Sequence, residues 1–119
     1  MAEIQRIGNV YFVVHDVEEA VRFYRDVLGL KQKFRDGDRW VAFDVGGTTL
    51  AVAGPEEAPL IGGTGPFVSL RTDDLDGLVA QLRQRGAEVT DSIGTGHERR
   101  AHLTVPGGTA IVLYEPARG

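Results

Sequence analysis

Histidines supply most of the acid–base chemistry that this chain could perform. Its 119 residues include three histidines and no cysteine, which excludes thiolate nucleophiles and thiolate metal ligands. His97 and His102 lie near the carboxyl terminus, with Glu98 directly after the first. Because an unperturbed imidazole titrates at about pH 6.5, either could act as a general acid or base, or donate a hydrogen bond to a ligand. His15 precedes a predicted helix, where we expect a structural or solvent-exposed role.

Arginine and aromatic side chains supply binding chemistry. Guanidinium groups fit carboxylates and phosphates, so Arg99 and Arg100, together with Arg71, are candidates for holding an anionic group; a solvated edge is the alternative. Four aromatic residues could stack on a ligand or pack against each other: Tyr11, Trp40, Phe67 and Tyr114. The sequence has no G-x-S-x-G motif, no phosphate-binding glycine loop and no H-E-x-x-H motif.

The composition is that of a small acidic protein. Lys and Arg total 13 against 17 for Asp and Glu, and the net charge of -4 disfavours nucleic acid and anionic membranes as partners. The hydrophobic content of 42% can support a core without disulfides. The first eight residues lack the apolar region of a signal peptide, and no apolar run is long enough to span a membrane, so we expect a cytoplasmic protein.

The first half of the chain contains a predicted strand followed by a predicted helix. Residues 10–14 are β-branched or aromatic, which is typical of a strand. Asp16 is a predicted helix N-cap, with Glu19 at the capping-box position. Apolar residues then recur at helical spacing as far as Gly29, the predicted C-terminal stop: Val17, Ala20, Val21, Tyr24, Val27 and Leu28. This pattern predicts a helix over residues 17–28 with one buried face.

The second half repeats this order of signals. Residues 67–70 predict a strand, Asp74 a helix N-cap and Gly86 a helix stop. The segment that begins at Gly46 also matches the segment that begins at Gly107. We therefore predict a single domain of two βαβββ modules, residues 1–53 and 67–119, joined by a linker of residues 54–66 that is rich in Pro and Gly.

Strand alternation divides each module into a helix-facing side and an open face. A two-residue turn at Gly46 and Gly47 places five apolar residues under the helix: Val41, Phe43, Val45, Leu50 and Val52. The open face of the first module then carries Asn9, Tyr11, Trp40, Asp44 and Ala51. In the second module, alternation along the first strand places on the open face Phe67, Ser69 and Arg71. A three-residue turn at residues 106–108 adds from the last hairpin Arg100, His102, Val112 and Tyr114. A two-residue turn would instead bury His102 and Thr104; we prefer the longer turn because it buries apolar residues and leaves the imidazole solvated or paired.

Residues 16–30 carry the pattern D-x-x-x-A-x-x-F-Y-x-x-x-L-G-L. Together with the duplicated modules, this segment resembles the vicinal oxygen chelate superfamily, also called the glyoxalase/bleomycin resistance family, over essentially the whole chain. Residues 105–109 are similar to the family's D-P-x-G-N turn, with Val and Thr in place of Asp and Asn. The resemblance implies an α+β fold of two tandem βαβββ modules, with curved mixed sheets and helices on the outer face. It also implies a homodimer, since short members often exchange arms between subunits.

Metal enzymes of that family chelate a divalent ion with His and Glu side chains. The family spacing places the corresponding positions of this chain at Asn9, Ala51, Phe67 and Val112. An amide oxygen is a weak ligand for Zn, Ni, Fe or Mn, and the other three side chains supply no lone pair. We therefore expect no metal and no cofactor, which disfavours a glyoxalase or dioxygenase-like lyase.

The sequence favours a binding protein over an enzyme. The leading hypothesis is a metal-independent protein of the bleomycin-resistance type that sequesters an aromatic or polycyclic natural product, a small-molecule partner, for antibiotic resistance or self-protection. One alternative is a cofactor-independent isomerase, epimerase or hydrolase that uses His102 or His97; another is a scaffold domain without a ligand. The candidate ligand-binding residues are Asn9, Tyr11, Trp40, Asp44, Ala51, Phe67, Ser69, Arg71, Arg100, His102, Val112 and Tyr114.

Overall fold

A computed structural model describes residues 2–58, 63–94, 97–106 and 110–117 of the chain. The strands and helices follow in the order β1 (Arg6–Val13), α1 (Val17–Arg22), β2 (Lys31–Asp36), β3 (Trp40–Val45), β4 (Thr48–Ala53), β5 (Phe67–Arg71), α2 (Leu75–Gln84), β6 (Ile93–Gly94), β7 (Glu98–Thr104) and β8 (Ala110–Pro116). These mixed strands and two helices have the α+β fold class that the sequence predicts. Among the described residues, no helix has the length and apolarity needed to cross a membrane.

The chain divides into two compact units. The first unit is Asn9–Phe67, and the second unit is Val68–Gly119 together with Met1–Gly8. The segment predicted to be a linker contains one short 3-10 turn, Pro55–Glu57, which begins at a proline whose fixed φ suits the first helical position. Residues 59–62 of that segment lie outside the described ranges.

The strands of the first unit follow the order β2-β3-β4-β1. Strand β1 runs parallel to β4, and the other two pairs are antiparallel. Val45 lies opposite Thr48, which is the register that a two-residue turn predicts. Gly46 and Gly47 have φ values of 58° and 88°, the positive range that such a turn requires and that glycine adopts without strain.

The core of the first unit lies between α1 and one side of its strands. The Asp16 side chain caps α1 by accepting a hydrogen bond from the Glu19 amide at 3.0 Å, as predicted. Val17 and Val21 then pack against three of the five residues that were predicted to lie under the helix: Val41, Phe43 and Val52. The prediction is wrong for Val45, which is 42% exposed because it lies at the hairpin end of β3, next to the turn.

The end of the first helix also differs from its prediction. The chain leaves α1 as a π-helical turn, Phe23–Val27, in which the Leu28 amide donates to the Phe23 carbonyl at 3.1 Å. The wider turn moves the next side chains out of the 3.6-residue stripe. Val27 and Leu28 are therefore 70% and 52% exposed, and their predicted burial is wrong. Gly29, with a φ of 71°, follows the turn at the predicted stop.

The strands of the second unit follow the order β5-β8-β7-β6, with β5 parallel to β8. The Asp74 side chain caps α2 by accepting from the Gly77 amide at 3.0 Å. The buried face of α2 packs on Ala101 and Leu113. These two residues lie opposite each other, which is the register that the longer turn predicts. Residues 107–109, which include two of the three turn residues, lie outside the described ranges.

Candidate functional site

Three aromatic rings cluster on the open face of the first unit. The ring centroids of Tyr11 and Trp40 are 5.0 Å apart, and those of Tyr11 and Phe67 are 5.3 Å apart. Both pairs are tilted, an arrangement that adds to the stability gained by burial. We call these three residues the aromatic cluster. Ala51 is the register partner of Tyr11, and Ala42 is the register partner of Ala51, so small side chains lie next to the cluster.

The members of the aromatic cluster differ in accessibility. Tyr11 and Phe67 are 1% and 2% exposed, and the Tyr11 hydroxyl donates to the Glu57 carbonyl at 3.2 Å. Trp40 is half-buried. Tyr11 and Phe67 therefore support the cluster from within, whereas Trp40 has surface that a ligand could contact.

Phe34 is an aromatic residue of this face that the sequence did not single out. It lies opposite Ala42, so its side chain shares the open face, and it is 53% exposed. The β2–β3 register shifts between Gln32 and Phe34. No turn signal or alternation pattern predicts such an irregularity, so strand parity could not be assigned to Phe34 in advance.

Asn9 and Asp44 have different surroundings on this face. The Asn9 side-chain oxygen is buried and accepts no hydrogen bond from the described residues. A buried acceptor without a donor is costly, so this oxygen suits an N–H or O–H group of a ligand or a water molecule. The Asp44 carboxylate is exposed and accepts from the Gly47 amide at 3.1 Å, so it stabilises the hairpin turn.

The open face of the second unit brings six of the candidate residues into two rows. The register across β5, β8 and β7 aligns Ser69 with Val112 and His102, and aligns Arg71 with Tyr114 and Arg100. Register partners on neighbouring strands have Cβ atoms about 5 Å apart, so the members of each row are neighbours. We call Arg71, Tyr114 and Arg100 the arginine row.

Charges in the arginine row are distributed unevenly. Arg100 Nε lies 2.6 Å from Glu98 Oε2, and both side chains are mostly buried. Arg71 is half-buried as a residue, and its guanidinium makes no hydrogen bond or ion pair with the residues that the structure describes. Burial, together with the Glu98 charge, raises the pKa of Tyr114, although Arg6 and Arg71 oppose this shift. The phenol therefore stays protonated at neutral pH and can donate a hydrogen bond.

The two candidate acid–base histidines are not brought together. His102 is buried, and burial, assisted by the Arg100 charge, lowers the pKa of its imidazole. The neutral form is therefore favoured at neutral pH. His97 is exposed and precedes β7 by one residue, and an odd separation along extended chain directs the two side chains to opposite faces.

Acidification from pH 7 to pH 5 should destabilise the protein through His102. Its pKa is lower in the folded state than in the unfolded state, so the unfolded chain binds more protons in this range. The stability contributed by the neutral imidazole is complete above about pH 6.5 and is lost as the pH falls through the folded-state value. In thermal melts, His102→Gln should reduce the pH dependence of Tm, whereas His15→Gln, at an exposed position, should retain it. An unchanged pH dependence in His102→Gln would contradict this assignment.

The residues at the family's metal positions do not fit a divalent ion. Asn9 offers one amide oxygen, and Ala51, Phe67 and Val112 offer no donor atom. Elsewhere in the described ranges, no group of three or more His, Cys, Asp or Glu side chains could hold a metal.

Two supporting residues on the second unit were also missed by sequence reasoning. Thr90 accepts a hydrogen bond from the His102 amide through its hydroxyl at 2.9 Å. Gly8 lies directly against Tyr114, and an added Cβ at Gly8 would overlap the Tyr114 hydroxyl. The Gly8 contact joins residues more than 100 positions apart, and no local pattern signals it.

Known proteins resemble this chain over nearly its whole length. The family model "Glyoxalase/Bleomycin resistance protein/Dioxygenase superfamily" matches residues 6–113. An uncharacterized protein of Mycolicibacterium smegmatis is 33% identical over 113 residues, which cover 94% of this chain and 95% of that protein.

Solved structures share the fold. A glyoxalase/bleomycin resistance protein/dioxygenase superfamily member from Vibrio splendidus 12B01 has a TM-score of 0.68 and 19% identity, covering 92% of this chain and 97% of its own. Methylmalonyl-CoA epimerase from Mycobacterium tuberculosis has a TM-score of 0.71 and 22% identity. The match covers 97% of this chain and 90% of the epimerase chain. The 2,3-dioxygenase LapB from Pseudomonas sp. KL28 is 27% identical with a TM-score of 0.66. The match covers 95% of this chain but only 41% of the LapB chain. With the family model matching residues 6–113, the chain belongs to the glyoxalase/bleomycin resistance protein/dioxygenase superfamily.

Proposed function

We propose that this protein binds an aromatic small molecule without a metal ion and leaves it chemically unchanged. The observation that carries the proposal is the half-buried Trp40, which is held against Tyr11 on an open face whose family metal positions offer only one amide oxygen, that of Asn9. Binding of this kind sequesters its ligand, as the bleomycin-resistance type does. Protection from an aromatic natural product is the role that it would serve.

The surroundings of Trp40 suit stacking. Tyr11 supports its ring and is itself fixed by Phe67 and by the Glu57 carbonyl. A ring held in place loses little conformational freedom when a ligand binds. Phe34 adds an exposed ring on the same face. Aromatic groups of this kind supply apolar area and preferred stacking geometries.

Tryptophan fluorescence tests the proposal directly, because Trp40 is the sole tryptophan. Titration with a panel of aromatic natural products that includes bleomycin, in the presence of EDTA, should give saturable quenching by at least one compound. Mass spectrometry after extraction should recover that compound unchanged. In calorimetry, Trp40→Ala should weaken its binding roughly tenfold, the size expected for loss of stacking and apolar contact.

A matched variant separates stacking from a general loss of aromatic surface. Phe23 is 49% exposed in the π-helical turn, away from the aromatic cluster, so Phe23→Ala should leave the affinity unchanged. Binding that requires a divalent ion, or equal losses in the Trp40 and Phe23 variants, would refute the proposal.

Acid–base catalysis by His102 is the alternative that one observation favours. Its pKa is lowered, so the neutral imidazole could accept a proton at neutral pH, and its row places it beside Val112 on the open face of the second unit. Chemical conversion of a bound compound by the wild type, but not by His102→Gln, would replace sequestration with an isomerase, epimerase or hydrolase activity.

A further inference from the structure

Arg71 differs from five arginines of this chain that pair with a carboxylate. Four arginines hold a carboxylate on the protein surface at 2.8 to 3.2 Å: Arg25, Arg35, Arg83 and Arg99. Arg100, which is more buried, holds Glu98. Arg71 is half-buried, yet its guanidinium has no partner among the residues that the structure describes. Partial burial of an unpaired charge is unfavourable, so this position is suited to an external anion.

Backbone contacts fix the strands on which Arg71 and Tyr114 lie. The Gln5 amide donates to the Arg71 carbonyl at 2.8 Å, and the Thr72 amide donates to the Tyr114 carbonyl at 2.9 Å. Gly8 lies against the Tyr114 hydroxyl and limits where the ring can move. The two side chains are therefore presented from a preorganised backbone, which reduces the entropy lost on binding.

Charge on this face favours an anion although the whole chain is acidic. Glu98 is paired with Arg100, which leaves Arg71 and the exposed Arg6 without a carboxylate among the described residues. Both lie near enough to Tyr114 for their charges to act on its phenol. The local excess is therefore positive, whereas the net charge of the chain is -4.

We propose that Arg71 and Tyr114 bind the carboxylate of an organic ligand on the open face of the second unit. The planar guanidinium donates two parallel hydrogen bonds to the two carboxylate oxygens, and the Tyr114 hydroxyl donates a third. Val112, in the adjacent row, is only 1% exposed, so we expect the ligand to contact the arginine row and not that residue. This inference rests on the proposed small-molecule binding function and adds a carboxylate to the chemistry of the ligands that we expect.

The test compares 2-naphthoate with 2-naphthamide by isothermal titration calorimetry at neutral pH. The two probes share the ring system and differ in charge. The wild type should bind 2-naphthoate at least roughly tenfold more tightly, as expected for charge-assisted hydrogen bonds. Arg71→Gln should remove this preference and leave the affinity for 2-naphthamide unchanged. Arg85→Gln, which removes an exposed arginine at the end of α2, should change neither affinity.

A second measurement does not depend on the stability of the variant. In the wild type, 2-naphthoate should shift the NMR signals of amides 69–71 and 112–114 more than 2-naphthamide does. Equal binding of both probes, equal losses in the Arg71 and Arg85 variants, or shifts confined to other residues would each overturn the carboxylate site. Those results would not contradict the proposed stacking of a ligand on Trp40. If no aromatic compound, charged or neutral, binds at all, the proposed function fails together with this inference.

Discussion

Replacing Gly65 with alanine should lower the free energy of unfolding by about 3 kcal/mol. Its φ of 94° lies in the range that residues with a Cβ rarely adopt, and an added Cβ would lie 2.9 Å from both the Tyr11 carbonyl oxygen and the Phe67 amide nitrogen. The positive φ costs about 1–2 kcal/mol and overpacking about 1–3 kcal/mol. In a domain of this size, the combined loss should reduce Tm by about 10 °C. Because two members of the aromatic cluster flank the position, the near-ultraviolet circular dichroism should also change.

Gly37→Ala is the matched control for Gly65. Gly37 also has a positive φ, 51°, but an added Cβ would meet no atom within 4 Å. Its substitution should therefore cost about 1–2 kcal/mol, from backbone strain alone. If both variants lose the same stability, close packing around Gly65 contributes nothing and this account of the segment is wrong.

Phe43→Ala should lower the free energy of unfolding by about 3–5 kcal/mol, the range for deletion of a buried aromatic side chain. Phe43 lies on β3 with its side chain fully buried against α1, and its ring centroid lies 5.9 Å from that of Tyr24. The loss combines the apolar surface that is no longer buried with a cavity that the neighbours fill incompletely. Urea denaturation should show a lower midpoint with an unchanged slope.

Val45→Ala tests whether burial, and not the position along β3, sets this cost. Val45 lies two residues beyond Phe43 on the same side of the strand, but is 42% exposed. Its substitution should change the free energy of unfolding by less than about 1 kcal/mol. A loss at Val45 as large as the loss at Phe43 would show that something covers the hairpin end of the strand in solution.

Features set by nearby residues were predictable from the sequence. Asp16 and Asp74 cap their helices because a short carboxylate reaches an amide three residues ahead. The register of β3 and β4 follows from two adjacent glycines that can both adopt positive φ. With the strand register given, alternation correctly placed the aromatic cluster and the arginine row on open faces.

Features set by distant contacts were not predictable. The apolar pattern of residues 17–28 fits an uninterrupted α-helix, but the structure has a π-helical turn that begins at Phe23. Phe34 reaches the open face through a register shift, and Gly8 meets Tyr114 from the other end of the chain. Tyr11 and Phe67 are almost completely buried and their rings contact each other. The residue types alone do not predict this ring packing.

The parallel pairing of β1 with β4 has a consequence for the order of folding. Val10 pairs with Leu50, about forty positions away, whereas β3 and β4 are joined by a two-residue turn. The local hairpin can close within microseconds, while β1 must wait for a much larger loop to close. We therefore expect β3 and β4 to form an early template onto which β1 docks late. Substitutions in β1 should then mainly accelerate unfolding, and substitutions in the hairpin should slow folding.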